Sequence, residues 1–422
     1  MDLLIRAVQI IDTSSPFHLQ TKDILIQKGK IISIKDKIDA ADHTEIFDAV
    51  GTCISPGWFD LYVHLCDPGY EYKEDISSGS KAAAAGGFTG LAALPDTKPV
   101  IDSKSDVEYI LNRAKGVIVD IYPVGAVTKN CEGRELAEIY DMANAGAIAF
   151  SDAQHAIADS GLMMRCLLYV KKIGSVILSY PHDNSIAPLG VMNEGVSSVT
   201  LGMAGIPAMA EDLLVVRDIE LASYTGSRLH FSCISTKSAV DRIREAKRKG
   251  IPVTCGINPV HLVLDDEALH DYDSNLKIYP PLRSKKDIFA LKEGLKDGTI
   301  DVICSAHQPQ NEERKKVEFE YAEPGIINLQ TCFSLAYEAL KDIMKIESVI
   351  EKFVLNPRKI LGLPIPVIEE NTLANFTIFD PEKQWELKRD NILSKSFNSP
   401  FIGRAMQGKA IAIYNNNQFQ IS

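Results

Sequence analysis

The sequence predicts an α/β protein: a TIM-type (β/α)8 barrel that carries a small β domain formed by both chain ends. Between residues 56 and 365, short apolar runs alternate with stretches of helical periodicity, which is typical of a parallel barrel. Residues 1–55 and 366–422 hold short β-like runs separated by turn residues. Because chain termini often lie close together, we expect these two end segments to form one composite domain.

The individual elements follow from length, alternation and flanking turn residues. In the end segments, the β-like runs are 3–11, 23–27, 29–34, 45–48, 374–379, 401–402 and 409–414. In the middle, the predicted strands are 87–94, 117–121, 147–150, 175–179, 229–234, 252–256 and 302–304. The predicted helices between them are 106–114, 135–144, 162–172, 213–224, 239–247 and 331–345.

Bulk properties exclude several function classes. The formal net charge of -11 is spread along the 422 residues, which argues against nucleic acid or an anionic membrane as the main partner. An acid at position 2 without a long apolar run predicts no signal peptide, and no stretch has the length of a membrane span. The eight cysteines are scattered without a CxxC pair, which indicates reduced thiols and a cytoplasmic location.

The most informative stretch runs from Ser55 to Leu65. Here an apolar run passes a Pro-Gly turn and places Asp60, Tyr62 and His64 on alternate residues. A period of two puts these three side chains on one face of a strand. At the carboxyl end of a barrel strand, that face is where catalytic or metal-binding groups lie.

This stretch resembles the first strand of the amidohydrolase superfamily, which ends Asp-x-His-x-His and supplies two zinc ligands. Further segments resemble dihydroorotase, in its bacterial zinc-dependent branch, in order along the whole chain. They are Asp67-Pro68-Gly69, Lys73-Glu74-Asp75-Ile76, Gly86-Gly87-Phe88-Thr89, Leu94-Pro95-Asp96-Thr97-Lys98-Pro99, Phe150-Ser151-Asp152, Asp183-Asn184-Ser185, Gly205-Ile206-Pro207, Ser235-Thr236-Lys237, Pro280-Pro281-Leu282-Arg283 and the run from Ser394 to Gly403. The resemblance implies a zinc-bearing (β/α)8 barrel with a small β-sandwich domain made from both chain ends. It also implies an enzyme that opens or closes a cyclic amide in pyrimidine synthesis.

The resemblance also implies a metal site that this chain does not reproduce. Of the six matching positions, His64 and Asp152 keep the residue type of the family. The other four hold different residues, namely Tyr62, Tyr180, Cys233 and Ala306, the last in place of the aspartate that transfers protons. A tyrosine with a pKa near ~10 is a poor zinc ligand at neutral pH. We expect no zinc, or one ion held by His64, Asp152 and Cys233.

Positions that the resemblance assigns to substrate also differ. Cys66 stands in place of an arginine that clamps a carboxylate, and Asp96 in place of an amide that binds the same group. Tyr279 replaces an asparagine, while His307 keeps the family's histidine beside Ala306. A thiol cannot reproduce a bidentate guanidinium, and Asp96 would repel an anion. These changes predict a remodelled pocket with no expected catalytic residue.

Structural explanations compete with functional ones at each position. His64 can be a hydrogen-bonded interior residue, Asp152 can cap a helix or pair internally, and Cys233 can be a small core residue. The favoured hypothesis is a catalytically silent, homo-oligomeric member of the family that acts as a structural or regulatory partner of aspartate carbamoyltransferase. One alternative is an active cyclic amidohydrolase with a rebuilt one-metal site. Another is a ligand sensor that uses the barrel mouth.

Overall fold

The computed structural model describes residues 2–422, and within them a parallel eight-stranded sheet curls into a nearly closed barrel. Its strands neighbour one another in chain order: Trp58–Val63, Phe88–Ala93, Asp120–Gly125, Ala149–Phe150, Ile177–Ser179, Leu229–Phe231, Val253–Ile257 and Val302–Ile303. A parallel bridge between Val63 and His307 joins the first strand to the segment after the last. The predicted barrel is therefore confirmed.

Helices follow most of the barrel strands. The longer ones are Ile76–Ala85, Lys104–Arg113, Ile139–Ala145, Ser160–Lys172, Met209–Thr225, Lys237–Arg248, Lys285–Lys296, Cys332–Leu340 and Leu355–Leu361. Shorter helical segments are Lys129–Cys131, Val196–Leu201, Val260–Val263, Asp266–Asp271, Ser274–Leu276, Glu312–Lys315, Ile346–Glu351 and Arg389–Asn391. The predicted helix 331–345 ends early, at Leu340, and a separate short helix begins at Ile346.

Both ends of the chain contribute to a second sheet. Its order is Gln418–Ile421, Ala405–Asn415, Phe376–Glu386, Cys53–Pro56, Asp2–Ile10, Thr21–Gln27 and Lys30–Lys35, with Glu45–Asp48 also paired to Asp2–Ile10. The two ends meet where Phe376 pairs antiparallel with Pro56. The predicted strand 401–402 is wrong, because Ile402 makes only an isolated bridge to Leu387. The domain boundaries at residues 55 and 366 stay a prediction.

An aromatic cluster joins the terminal sheet to the barrel. Trp58 begins the first barrel strand, and its ring lies 4.7 Å from that of Phe333 and 5.5 Å from those of Phe353 and Phe379. Nearby, the Asn415 side-chain amide donates to the carbonyl of Thr89 at 3.2 Å. These contacts occupy the amino end of the barrel and leave its carboxyl end, where His64 and Ala306 lie, as the place for a site.

Two expectations about the chain as a whole can be compared with the structure. All eight cysteines are free and buried, in agreement with the predicted reduced thiols. Among residues 2–422, no helix combines the length and the apolar character needed to cross a bilayer.

Candidate functional site

Four barrel strands are followed by a non-glycine residue in the left-handed backbone region. These residues are Cys66 (φ 59°), Ala153 (φ 51°), Cys233 (φ 54°) and Ala306 (φ 49°). For a residue with a Cβ, this conformation costs roughly 1–2 kcal/mol. Such strain concentrates at functional sites, and here it turns the chain at the carboxyl end of the barrel.

The residues at this end form a packed group, which we call the mouth cluster. Its buried members are Tyr62, Leu94, Ala153, Tyr180, Cys233, Cys304 and Ala306, and the partly buried Tyr279 packs against them. Tyr62 is 2% exposed and Tyr180 is 4% exposed, so both phenol rings point inward, as the strand pattern predicts for Tyr62. Phenols and thiols therefore occupy the space at the centre of the mouth.

The two phenol hydroxyls have no hydrogen-bond partner within the described residues. Burial holds the pKa of Tyr62 and Tyr180 well above 10, and the neighbouring Cys233 thiol acts in the same direction. Both hydroxyls are therefore neutral at physiological pH. A neutral phenol is a hydrogen-bond donor rather than a zinc ligand.

Cys233 faces a second thiol. Its Sγ lies 3.7 Å from that of Cys304, which follows the last barrel strand. The hydrogen bond between the thiols and the burial of both raise the pKa of Cys304 well above its usual value. Since the thiolate is the form that binds metal, Cys304 behaves as a core residue, and Cys233 packs with it in the mouth cluster.

His64 pairs with Asp96, a contact that the sequence did not predict. Its Nδ1 lies 3.0 Å from Asp96 Oδ1, while its Nε2 has no partner in the part of the chain that the structure describes. Burial disfavours the charged form of Asp96, but the charge and hydrogen bond of His64, together with smaller effects of His155 and the backbone, lower the pKa of the carboxyl. Asp96 therefore orients His64 and keeps a negative charge beside the mouth.

Asp152 is fully engaged by its own neighbours. One carboxylate oxygen accepts from the backbone N–H groups of Val127 at 2.8 Å and Thr128 at 2.9 Å, and the other accepts from the Thr128 hydroxyl. Burial raises the pKa of Asp152 to about 6 despite these bonds. The carboxylate thus ties the end of the fourth strand to residues 127–128, which is the internal pairing considered from the sequence.

The candidate metal ligands at the mouth are not arranged to hold a zinc ion. Zinc requires several imidazole, carboxylate or thiolate groups at ~2.0–2.3 Å from one point. Here the carboxylate of Asp152 already accepts hydrogen bonds from Val127 and Thr128. The thiols of Cys233 and Cys304 face each other, and the phenols are neutral. Over residues 2–422, no three His, Cys, Asp or Glu side chains are grouped so that they could hold a metal ion.

His307 lies beside the mouth in a network that links distant parts of the chain. Its Nδ1 accepts from the backbone N–H of Asn328 at 3.1 Å, and its Nε2 is 3.5 Å from the Glu74 carboxylate. Glu74 also accepts from the hydroxyls of Ser78 and Ser394. Through these contacts Glu74 fixes the first loop to the barrel. The run from Ser394 to Gly403, one of the segments that carry the family resemblance, joins this network through the Ser394 hydroxyl.

The positions predicted to contact substrate carry no cation. Cys66 is buried, and burial raises the pKa of its thiol above the usual range. Tyr279 donates from its hydroxyl to the carbonyl of Gly190 at 3.1 Å, and its ring stacks on His182 at 6.2 Å between centroids. Burial lowers the pKa of His182 to about 4, so this imidazole is neutral at physiological pH.

Comparisons with known proteins agree with the fold and the resemblance. The chain matches the Dihydro-orotase-like family over residues 51–239 and the Amidohydrolase family over residues 181–413. It is 42% identical over 412 residues to a dihydroorotase of Geobacter metallireducens, covering 97% of each chain. It is 41% identical over 410 residues to a dihydroorotase of Pelotomaculum thermopropionicum, covering 97% of this chain and 96% of that one.

Solved structures show the same fold at lower identity. An L-hydantoinase (dihydropyrimidinase) from Arthrobacter aurescens has a TM-score of 0.87 at 21% identity, with 100% of this chain and 97% of that chain covered. A dihydropyrimidinase from Brevibacillus agri has a TM-score of 0.84 at 22% identity, with 100% and 95% covered. With 40–42% identity to dihydroorotases over nearly its full length, the chain belongs to the dihydroorotase family of the amidohydrolases.

Proposed function

We propose that this member of the dihydroorotase family serves pyrimidine biosynthesis without opening or closing dihydroorotate itself. The observation that carries the proposal is Ala306, which stands where the family's proton-transferring aspartate is expected and is buried among phenols and thiols. Proton transfer by a positioned side chain contributes about 10²–10⁴-fold to rate. The methyl side chain of alanine cannot transfer a proton, so it supplies none of this rate enhancement.

Asp60, a buried acid on the first barrel strand, does not take over that role in the proposal. Asp60 lies on the same strand as Tyr62, and burial raises the pKa of its carboxyl to about 6. Its two oxygens, however, accept the backbone N–H groups of Tyr62 at 3.0 Å and Ser305 at 2.9 Å. Asp60 therefore closes the barrel between its first and last strands and has no oxygen directed at a substrate.

The electrostatics of the mouth also disfavour an anionic substrate. Asp96 carries a carboxylate whose pKa His64 lowers, and the Cys66 thiol is neutral. A substrate carboxylate in this position would meet a like charge without a guanidinium to offset it. Binding and chemistry are thus both weakened at the same place, which supports a site no longer used for the ancestral reaction.

Dihydroorotate turnover by the purified full chain tests this proposal. Hydrolysis of dihydroorotate and cyclisation of carbamoyl aspartate are measured with and without added zinc, beside a dihydroorotase from one of the relatives. We expect rates at the level of the reaction without protein, and less than one bound metal ion per chain. Zinc-dependent turnover within tenfold of the relative would overturn the proposal.

A second candidate function is an active cyclic amidohydrolase with one rebuilt metal site. The identity of 42% to dihydroorotases favours it, as does the unpartnered Nε2 of His64, which could serve as a ligand together with Cys233. Metal content after chelation and dialysis separates the two candidates. One ion retained per chain, and lost in the His64→Ala variant, would favour this second function; a folded chain without metal would favour the first.

The partner in the first proposal is aspartate carbamoyltransferase, in a structural or regulatory assembly of several copies of this chain. The proposal rests on the family resemblance. Mixing the purified chain with the carbamoyltransferase of the same organism and measuring the mass by size exclusion with light scattering tests it directly. A complex larger than either component is expected, and separate elution of the two proteins at micromolar concentration would contradict the assembly.

A further inference from the structure

Two glutamines connect loops from different strands above the mouth cluster. The Gln154 side-chain amide donates to Gln308 Oε1 at 3.1 Å, and the Gln308 amide donates to Gln154 Oε1 at 3.0 Å. Each side-chain amide thus donates one hydrogen bond to the other and accepts one from it. Both side chains are half-buried. The pairing joins residues 154 positions apart in the sequence.

The two loops come from opposite sides of the barrel. Gln154 follows the fourth strand, Ala149–Phe150, and Gln308 follows the eighth strand, Val302–Ile303. In a closed ring of eight strands, the fourth and the eighth face each other. The amide pair therefore spans the open end of the barrel.

The backbone turns sharply near each glutamine. Ala153 and Ala306, which lie next to Gln154 and two residues before Gln308, adopt the left-handed conformation and pack into the mouth cluster. This conformation is unfavourable for alanine and persists where the surrounding structure imposes it. The kinks hold both loops against Tyr62 and the two thiols.

We propose that the Gln154–Gln308 pair is a strap that holds the barrel mouth closed and controls the access of small molecules to the side chains beneath it. Those side chains include the thiols of Cys233 and Cys304, both buried, and the unpartnered hydroxyls of Tyr62 and Tyr180. The strap is made of two neutral hydrogen bonds on a partly solvated surface. It can therefore open without unfolding of the barrel.

Thiol labelling of the full chain measures this opening. The protein is exposed to a small neutral thiol reagent, N-ethylmaleimide, and modification of each cysteine is followed over time by peptide mass spectrometry. We expect Gln154→Ala and Gln308→Ala each to speed the labelling of Cys233 and Cys304 by about tenfold, the change in an opening equilibrium that loss of two modest hydrogen bonds produces. The double variant should label no faster than either single variant, because one interaction is removed in each case.

Gln310 provides a matched control. It lies in the same loop, but its amide donates to the carbonyl of Pro324 within the region 308–325 and does not cross the mouth. Labelling of Cys233 and Cys304 should therefore stay within about twofold of the original rate in Gln310→Ala, since that bond contributes nothing to closure. Cys166, which is buried in the helix Ser160–Lys172, reports on general loosening in every sample. Unchanged labelling in the strap variants, an equal rise at Cys166, or additive effects in the double variant would each overturn the proposal.

Discussion

The two ends of the barrel differ in how their buried polar groups are satisfied. At the amino end, Asn415 donates to the carbonyls of Thr89 and Ile118, and the Thr377 hydroxyl donates to the carbonyl of Gly87. At the carboxyl end, Tyr62 Oη, Tyr180 Oη and His64 Nε2 have no partner among the described residues.

This difference separates an end that stabilises the fold from an end that carries unsatisfied polar groups. A buried donor or acceptor without a partner costs about 1–3 kcal/mol, so an end with every group satisfied contributes stability and an end with orphaned groups reduces it. The amino end joins the terminal sheet to the barrel, and substitutions there would disrupt both. Substitution of an orphaned group at the carboxyl end should cost less, because no hydrogen bond within the described residues is lost.

The largest effect is expected at the amino end. Replacing Trp58 with alanine removes a side chain that is fully buried against Phe88, Phe333, Phe353 and Phe379. We expect a loss of about 3–5 kcal/mol in the free energy of unfolding, since the cavity cannot collapse in such a packed cluster. Urea denaturation followed by far-ultraviolet circular dichroism measures it.

Trp385 is the matched control for this prediction. The residue is only partly buried, and it lies near the end of the strand Phe376–Glu386. Trp385→Ala should therefore cost less than half as much, because less apolar area leaves water on folding. Equal losses at the two tryptophans would mean that the junction has no special role in stability.

The pH dependence of stability tests the barrel interior, which lies between the two ends. His230 is buried on the sixth strand, with its Nδ1 2.9 Å from the Thr254 hydroxyl, and burial lowers its pKa to about 3. Because the unfolded chain binds a proton near pH 6.5 and the folded chain does not, this group destabilises the fold as the pH falls from 6.5 towards 3. Between pH 6.5 and 4.5, we expect it to remove about 2 kcal/mol of stability.

The His230→Asn variant isolates that contribution. Its free energy of unfolding should depend less on pH over the same interval, by about the same 2 kcal/mol, whatever its absolute stability at pH 7.5. Other buried groups with shifted pKa values, such as Asp60, are present in both proteins and cancel in the difference. Parallel curves for the two proteins would show that His230 is protonated in the folded state.

Much of the fold could be predicted from local patterns. The predicted strand 252–256 corresponds to Val253–Ile257, and the predicted helix 162–172 to Ser160–Lys172. The helix Ile76–Ala85 was missed, because after Ile76 its buried face consists of Ser, Gly and Ala and shows little apolar periodicity. Its capping box, with Asp75 accepting from Ser78, was the signal that would have found it. The helix Lys285–Lys296 was also missed, although Ser284 and Asp287 form a similar box.

The site was less predictable, because its contacts join residues far apart in sequence. Local alternation placed Tyr62 and His64 correctly on one strand face, since a period of two needs only neighbouring residues. The contact of Asp96 with His64, which follows the preceding strand, could not be predicted from local alternation. The Gln154–Gln308 pair depends on closure of the ring, which no local pattern encodes.

Two substitutions with the smallest expected effects give the sharpest comparison of the two ends, because each substitution removes a single buried hydroxyl. Thr377→Val at the amino end removes the donor to the Gly87 carbonyl, at 2.6 Å, and the acceptor for the Trp58 backbone N–H, at 3.3 Å. It should cost about 1–3 kcal/mol, since two buried partners are left unsatisfied. Tyr62→Phe at the carboxyl end removes a hydroxyl without a partner, and should leave stability unchanged or raise it by up to about 1 kcal/mol.

Both variants are measured by urea denaturation at pH 7.5, where the phenol of Tyr62 and the imidazole of His230 are neutral. A loss at Tyr62 as large as the loss at Thr377 would mean that the phenol hydroxyl finds a partner in solution, such as a bound water or ligand. The mouth would then be a satisfied polar site like the amino end, and its tyrosines would be binding groups. A gain or no change at Tyr62 supports the opposite view, in which the phenol fills volume once used for chemistry and its hydroxyl contributes nothing to the fold.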